Sequence, residues 1–155
     1  MALCETEFRE IYDRHMELIY RVCFTYLGSQ ADAEDAVQTT FLNLFRVCKE
    51  GKSIRNVQAW LITCAKNCCT SILRRSHRKE APLADWYAHT DERDETRELL
   101  YQLPKPERLA LYLHYYEGYT AKEIGAMLEK TETTVWSYLH KGRKKLKKLI
   151  EEDIA

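Results

Sequence analysis

Long apolar runs are missing from this sequence: no stretch of its 155 residues approaches the length needed to cross a bilayer, roughly 20 residues for a helix. The opening MALCETEFREIY lacks a basic end followed by an apolar stretch, so it does not read as a secretory leader. Both features predict a cytoplasmic protein with no membrane insertion. Net charge is missing as well. The 24 basic residues balance 24 acidic ones, which excludes a single-sign field over the whole molecule. Glycine (5) and proline (3) are scarce, and no alternating strand pattern competes with the helical ones. Six cysteines are present, yet there is no Cys-x-x-Cys and no Cys/His knuckle. Cys23, Cys64 and Cys68 fall at apolar positions of helical repeats, where reduced thiols pack as small hydrophobes. Cys64 and Cys68, four residues apart, could share a metal with a third ligand, but the missing spacing favours packing. No metal or cofactor is expected. A Ser/His/Asp arrangement, a phosphate-cradling glycine loop and a carboxylate dyad are absent too, so nothing points to an enzyme.

What is there is a charge pattern and a helical rhythm. Residues up to Glu80 carry 12 basic and 10 acidic side chains, residues 81–98 carry 2 and 6, and residues 99–155 carry 10 and 8. Two mildly basic blocks thus flank an acidic linker containing Trp86 and Tyr87. The first block predicts three amphipathic helices. Phe8, Ile11, Tyr12, Leu18, Ile19, Val22, Cys23 and Tyr26 share one face of the first, closed by Gly28. Ser29 caps the second, whose apolar stripe is Ala33, Ala36, Val37, Phe41, Leu44 and Phe45. Its opposite face carries Asp32, Asp35, Gln38, Thr39 and Asn43. The third runs from about Val57 towards Lys79, with Val57, Trp60, Leu61, Cys64, Cys68 and Ile72 as its buried stripe. In the second block Pro106 suits the first turn of a helix reaching Tyr116, with Gly118 beyond it. Thr120 and Glu123 then form a capping box. Ile124, Met127 and Leu128 point inward from that helix, and Val135, Leu139, Leu146 and Leu149 from the last. The reading is all-α, in two small helical domains: 1–80, a linker over 81–98, and 99–155.

The last two helices have the spacing of a helix-turn-helix, whose second helix lies in a DNA major groove. Glu132, Thr133, Trp136, Ser137, His140 and Lys141 should face outward. Lys141, Arg143, Lys144, Lys145, Lys147 and Lys148 place six cations within eight residues, a pattern suited to phosphates. Base reading is less provided for, since Trp136 and Tyr138 stand where Arg or Lys would bind guanine. Trp136 reads equally well as a DNA contact or as a protein contact. In the first block, Arg74, Arg75, Arg78 and Lys79 end the third helix, Lys66, Asn67 and Ser71 lie upstream, and Lys52, Ser53, Arg55 and Asn56 form the preceding loop. Such residues can hold an unstacked base, though spacing alone reads them as an ordinary solvated face.

The segments SQADAEDAVQTTFLNLFR, NVQAWLITCAKNCCTSILRR and LPKPERLALYLHYYEGYTAKEIGAMLEKTETTVWSYLHKGRKKLKKL, in that order, resemble a bacterial RNA polymerase sigma factor. The type is the small extracytoplasmic-function (ECF) one, which keeps only regions two and four. The resemblance implies that the second helix docks on the β′ coiled coil of core RNA polymerase through Asp32, Asp35, Gln38, Thr39 and Asn43. It implies that Arg55, Asn56, Lys66, Asn67, Ser71, Arg74 and Arg75 melt and read the −10 element of promoter DNA. The second domain would rest on the β flap and read the −35 element with Thr133, Trp136, Ser137, Tyr138, His140, Lys141, Arg143 and Lys144. An anti-sigma factor is an implied further partner. Five positions depart from the family's habit: Thr39 replaces an acidic residue, Glu129-Lys130 replaces glycine and an apolar residue in the turn, and Trp136 and Tyr138 replace basic ones. These departures leave an alternative open, a sigma-like interaction protein that binds polymerase or an anti-sigma factor with little promoter reading.

Overall fold

The computed structural model describes residues 5–76 and 99–154, and all regular structure among them is helical. The acidic linker with Trp86 and Tyr87, and the basic pair Arg78 and Lys79, lie outside the described residues. The chain divides into two compact units, residues 1–80 and 81–155.

In the first unit, helix α1 (Glu5–Leu27) ends where Gly28 takes a φ of 71° and its N–H donates to the Phe24 carbonyl at 2.8 Å. That left-handed residue is cheap only for glycine. Ser29 follows at once as the cap of α2 (Gln30–Lys49), accepting from the Asp32 N–H at 3.4 Å. Asn56 caps α3 (Val57–Ser76) in the same way, its Oδ1 accepting from the Ala59 N–H at 3.1 Å. The three helices close on Leu18, Ile19, Val22, Cys23, Phe24 and Leu27 from α1, with Ala33, Ala36, Val37, Phe41 and Leu44 from α2. From α3 the core receives Leu61, Ile62, Ala65 and Cys69. This corrects the sequence reading of α3. Trp60, Cys64, Cys68 and Ile72 are only half-buried, because the side that meets α1 and α2 is rotated by about one residue, close to 100°. Tyr12 and Phe45 also stay exposed, while their rings pack edge-on against Phe41 and Phe8 respectively.

In the second unit, α4 (Lys105–Tyr115) carries Pro106 in its first turn, and Gly118 beyond its end has a φ of 80°. Thr120 and Glu123 form both bonds of the capping box at the start of α5 (Ala121–Leu128), at 3.1 and 3.0 Å. The hydrogen bonds from Thr120, backbone first, hold the Glu123 carboxyl below the usual carboxylate range. The turn to α6 (Glu132–Ile154) is sharp. Glu129 adopts the left-handed region at φ 59°, and the Lys130 N–H returns to the Gly125 carbonyl at 2.8 Å. A Cβ on Gly125 would stand 2.7 Å from the Lys130 carbonyl oxygen, so this glycine sets how tightly the turn folds back. Ile124, Met127, Leu128, Val135 and Leu139 fill the core as expected. Leu146 and Leu149 are half-buried. Gly142 lets α6 lie against α4, since a Cβ there would meet Leu111 Cδ1 at 2.8 Å.

Candidate nucleic-acid interface

Between α2 and α3 the first unit opens a groove of about 730 Å³, lined by Asn67, Ser71, Arg74 and Arg75 together with Trp60 and Ile72. Thr39 and Asn43 from α2 complete one wall, and Thr63, Cys64 and Cys68 line its floor. Four of the seven residues expected to handle a DNA strand therefore converge. Arg55 and Asn56 are exposed at the start of α3, Lys66 is half-buried, and none of the three lines the groove. Asn56 Oδ1 is occupied in capping the helix. The groove combines what an unstacked base needs: an aromatic edge for stacking, amide and hydroxyl groups for base edges, and guanidinium groups for phosphate.

Its floor was missed by the sequence reading, which put Cys64 and Cys68 in the core. The Asn43 amide donates to Cys64 Sγ at 3.5 Å and to Cys68 Sγ at 4.0 Å, and the Thr40 hydroxyl lies 3.7 Å from Cys68 Sγ. The hydrogen bond from Cys64 lowers the Cys68 thiol to about 6, helped by Thr40 and the charge of Arg75 against the opposing effect of burial. Cys64 moves the other way, raised by the same bond and by burial. No group of three or more His, Cys, Asp or Glu side chains among the described residues could hold a metal ion.

The residues expected to dock on polymerase split three ways. Asp35 and Gln38 are exposed on the outer face of α2. Thr39 and Asn43 turn towards the groove. Asp32 is only 7% exposed, so it cannot present a carboxylate to a partner, which corrects its place on the exposed face. Sequence reasoning also missed Leu42, which is 62% exposed. Asp35, Gln38, Leu42 and Phe45 follow the three- and four-residue spacing of one helix stripe. An exposed leucine flanked by polar residues at that spacing was the available signal.

Along α6, Thr133, Trp136, His140, Lys141 and Lys144 are exposed, and Ser137 and Tyr138 half-buried. The Thr131 hydroxyl caps the helix, accepting from the Thr134 N–H at 3.1 Å, so its first turns project from a rigid start. Thr133, Ser137, His140, Lys141 and Lys144 form one outward stripe; Tyr138 stands off it. Two of the six cations are tied within the unit. Lys145 pairs with the largely buried Glu107 at 3.0 Å. Arg143 is exposed, and its Nη1 donates to the Tyr115 hydroxyl at 2.8 Å. Trp136 is 47% exposed, and its ring lies edge-to-face with that of His114, the centroids 6.3 Å apart.

A three-helix unit with a polar groove is thus followed by a capped helix-turn-helix with a cationic outer stripe. The Sigma-70 region 2 family matches residues 11–79 and the Sigma-70 region 4 family residues 93–146, together well over half of the chain. The ECF RNA polymerase sigma factor SigE of Mycolicibacterium smegmatis is 30% identical over 89% of this chain and 59% of its own length. SigL of Mycobacterium tuberculosis is 27% identical over 93% of this chain and 89% of its own. In fold, the chain is similar to the sigma factor RpoE crystallised with the anti-sigma factor NepR from Bartonella quintana. The TM-score there is 0.75 at 21% identity, over 94% of this chain and 97% of that one. CnrH in complex with the cytosolic domain of CnrY gives 0.74 at 21% identity, over 97% and 91%. The chain belongs to the sigma-70 family, as a sigma factor of the ECF type. Sigma factors of this class bind core RNA polymerase and direct initiation at particular promoters.

Proposed function

We propose that the unit spanning residues 1–80 docks on core polymerase and captures the −10 element, and that residues 99–155 read the −35 element. In this reading the stripe Asp35, Gln38, Leu42 and Phe45 is the face for the β′ coiled coil. The apolar Leu42 supplies the buried centre and the polar residues the register, the usual anatomy of an interface. Asn67 and Ser71 take the edges of a flipped base, Trp60 stacks on it, and Arg74 and Arg75 hold the flanking phosphates. Along α6, Ser137 and His140 face base edges, Lys141 and Lys144 the backbone. Trp136 supplies apolar contact rather than guanine recognition, so preference here rests more on shape than on bidentate pairing. Each grip is weak, and attachment of both to one polymerase raises the effective concentration of the second once the first is bound. The protein acts in the cytoplasm, and an anti-sigma factor, as in the RpoE and CnrH complexes, competes for the same faces.

The observation that carries this reading is the convergence of Asn67, Ser71, Arg74 and Arg75 on one groove walled by Trp60. The test mixes the protein with sigma-free core polymerase and a library of random promoter DNA, and sequences the transcripts. Defined start sites sharing two upstream boxes are expected. Asn67→Ala with Ser71→Ala should abolish conservation in the nearer box while core binding persists. Core binding without any initiation would instead favour a polymerase-binding protein that reads no promoter.

A further inference from the structure

The groove floor holds chemistry that base capture does not require. Cys64 and Cys68 sit side by side on α3 and hydrogen-bond to each other. Asn43 reaches both sulfurs, and Thr40 reaches Cys68. Cys68 is half-buried in the groove floor, whereas its neighbour Cys69 contacts Cys23 with both thiols fully enclosed in the core. The charged group acting on Cys68 is Arg75, on the same helix; the α2 wall contributes only the neutral Thr39 and Asn43, with the neutral Thr40 buried behind them. A sulfur with N–H and S–H donors about it, beside a guanidinium and open to an accessible groove, is the environment of a nucleophilic thiolate.

We infer that Cys68 is a thiol-modification site that forms mixed disulfides with small disulfides, and that the adduct blocks promoter opening by filling the groove. The Cys68 thiolate attacks one sulfur of RS–SR, a Cys68–S–SR bond forms, the original S–S bond breaks, and RS⁻ leaves to take a proton from water. Cys64 acts as a positioning residue through its S–H. The pair does not seal into its own disulfide, because Cβ atoms four residues apart on a helix stand about 5–6 Å from each other, against the ~3.5–4.5 Å that bond requires. The second half of the inference rests on the proposed role of the groove.

The experiment treats the full chain with oxidised glutathione between pH 5 and 9 and maps adducts by peptide mass spectrometry. Cys68 should carry the adduct, with a rate that levels off above pH 7. A thiol with the ordinary value near 8.5 would keep accelerating to pH 9. At pH 6 the gain in thiolate outweighs its lower nucleophilicity, leaving Cys68 roughly tenfold faster than such a thiol. Cys64→Ala should move the levelling-off upward, and Cys64→Ser, which keeps a donor, should not. Equal labelling of several cysteines, or no plateau, overturns the site. The modified protein is then bound to core polymerase and tested for opening of a supercoiled promoter. Loss of opening with retained core binding, absent in Cys68→Ser and reversed by dithiothreitol, is expected. A Cys68 adduct that leaves opening unchanged in a holoenzyme still sensitive to Arg74→Ala overturns the blocking step alone. If Arg74→Ala is silent as well, the groove's proposed DNA role fails with it.

Discussion

In residues 1–80 the polar side chains of interest sit between two helices, while in residues 81–155 they run along the outside of one. The first arrangement makes recognition depend on packing. Asn43, Cys64 and Cys68 belong to the α2–α3 seam, where Asn43 reaches both sulfurs, and also line the groove. The second separates the two tasks among neighbouring residues. Lys145 and Arg143 tie α6 to α4 through Glu107 and Tyr115, leaving Lys141 and Lys144 exposed. A seam site can be altered by any change in core volume, whereas a surface stripe can change its cations without disturbing the fold.

That contrast breaks first under volume changes. Leu44→Ala, at a fully enclosed position beside the groove, should cost about 2–5 kcal/mol and weaken binding of −10 single-stranded DNA by the holoenzyme. Urea unfolding and strand-capture assays would read the two effects together; intact capture at lowered stability would show that the groove tolerates a looser core. Gly142→Val is the counterpart in the second unit. Its side chain collides with Leu111 and should cost about 1–3 kcal/mol by overpacking, lowering the melting temperature while the α6 stripe stays chemically unchanged.

The division among cations is sharpened by a pair of variants. Lys145→Ala should lose about 1 kcal/mol of stability, because Glu107 is left enclosed without its partner, and should leave the salt dependence of DNA binding as it was. Lys141→Ala should do the reverse, leaving thermal stability intact and reducing the slope of log affinity against log salt by about one. Equal slopes in the two variants would erase the distinction.

The smallest effects lie at the ends of α5. Thr120→Ala should cost about 1 kcal/mol at neutral pH. Glu123→Gln should destabilise at neutral pH only. The folded carboxyl titrates below its ordinary range, so its stabilisation is present above that range and vanishes as pH falls through the lowered value. Melting curves at pH 7 and in acid give the comparison, and a gap that widens in acid would reverse the assignment. Glu129→Gly should raise stability by roughly 0.5–1 kcal/mol, by removing a side chain from the left-handed region.

Local chemistry was the legible part of the sequence. Gly28, Ser29, Gly118, Thr120 and Glu123 act on residues within one turn of themselves, so their roles as caps can be read in order along the chain. The orientation of α3 was not legible in that way. Leu61, Ile62, Ala65 and Cys69 form one apolar stripe, and Trp60, Cys64, Cys68 and Ile72 form another beside it; only contact with α1 and α2 selects between them. Asp32 was assigned to the surface because it lies opposite the apolar stripe of α2, yet the other elements of the unit enclose it. The partners of Arg143 and Lys145 lie 28 and 38 residues away, beyond any periodicity. Convergence of Asn67, Ser71, Arg74 and Arg75 followed from helical spacing, but the existence of a hollow for them to line did not.

Trp60 stands in the wall of that hollow. Anything that enters, whether nucleobase or thiol adduct, comes to rest close enough to this indole to change its light emission. With Trp86 and Trp136 replaced by phenylalanine, the protein becomes a self-contained optical gauge of groove occupancy, able to time strand entry during initiation without an attached dye.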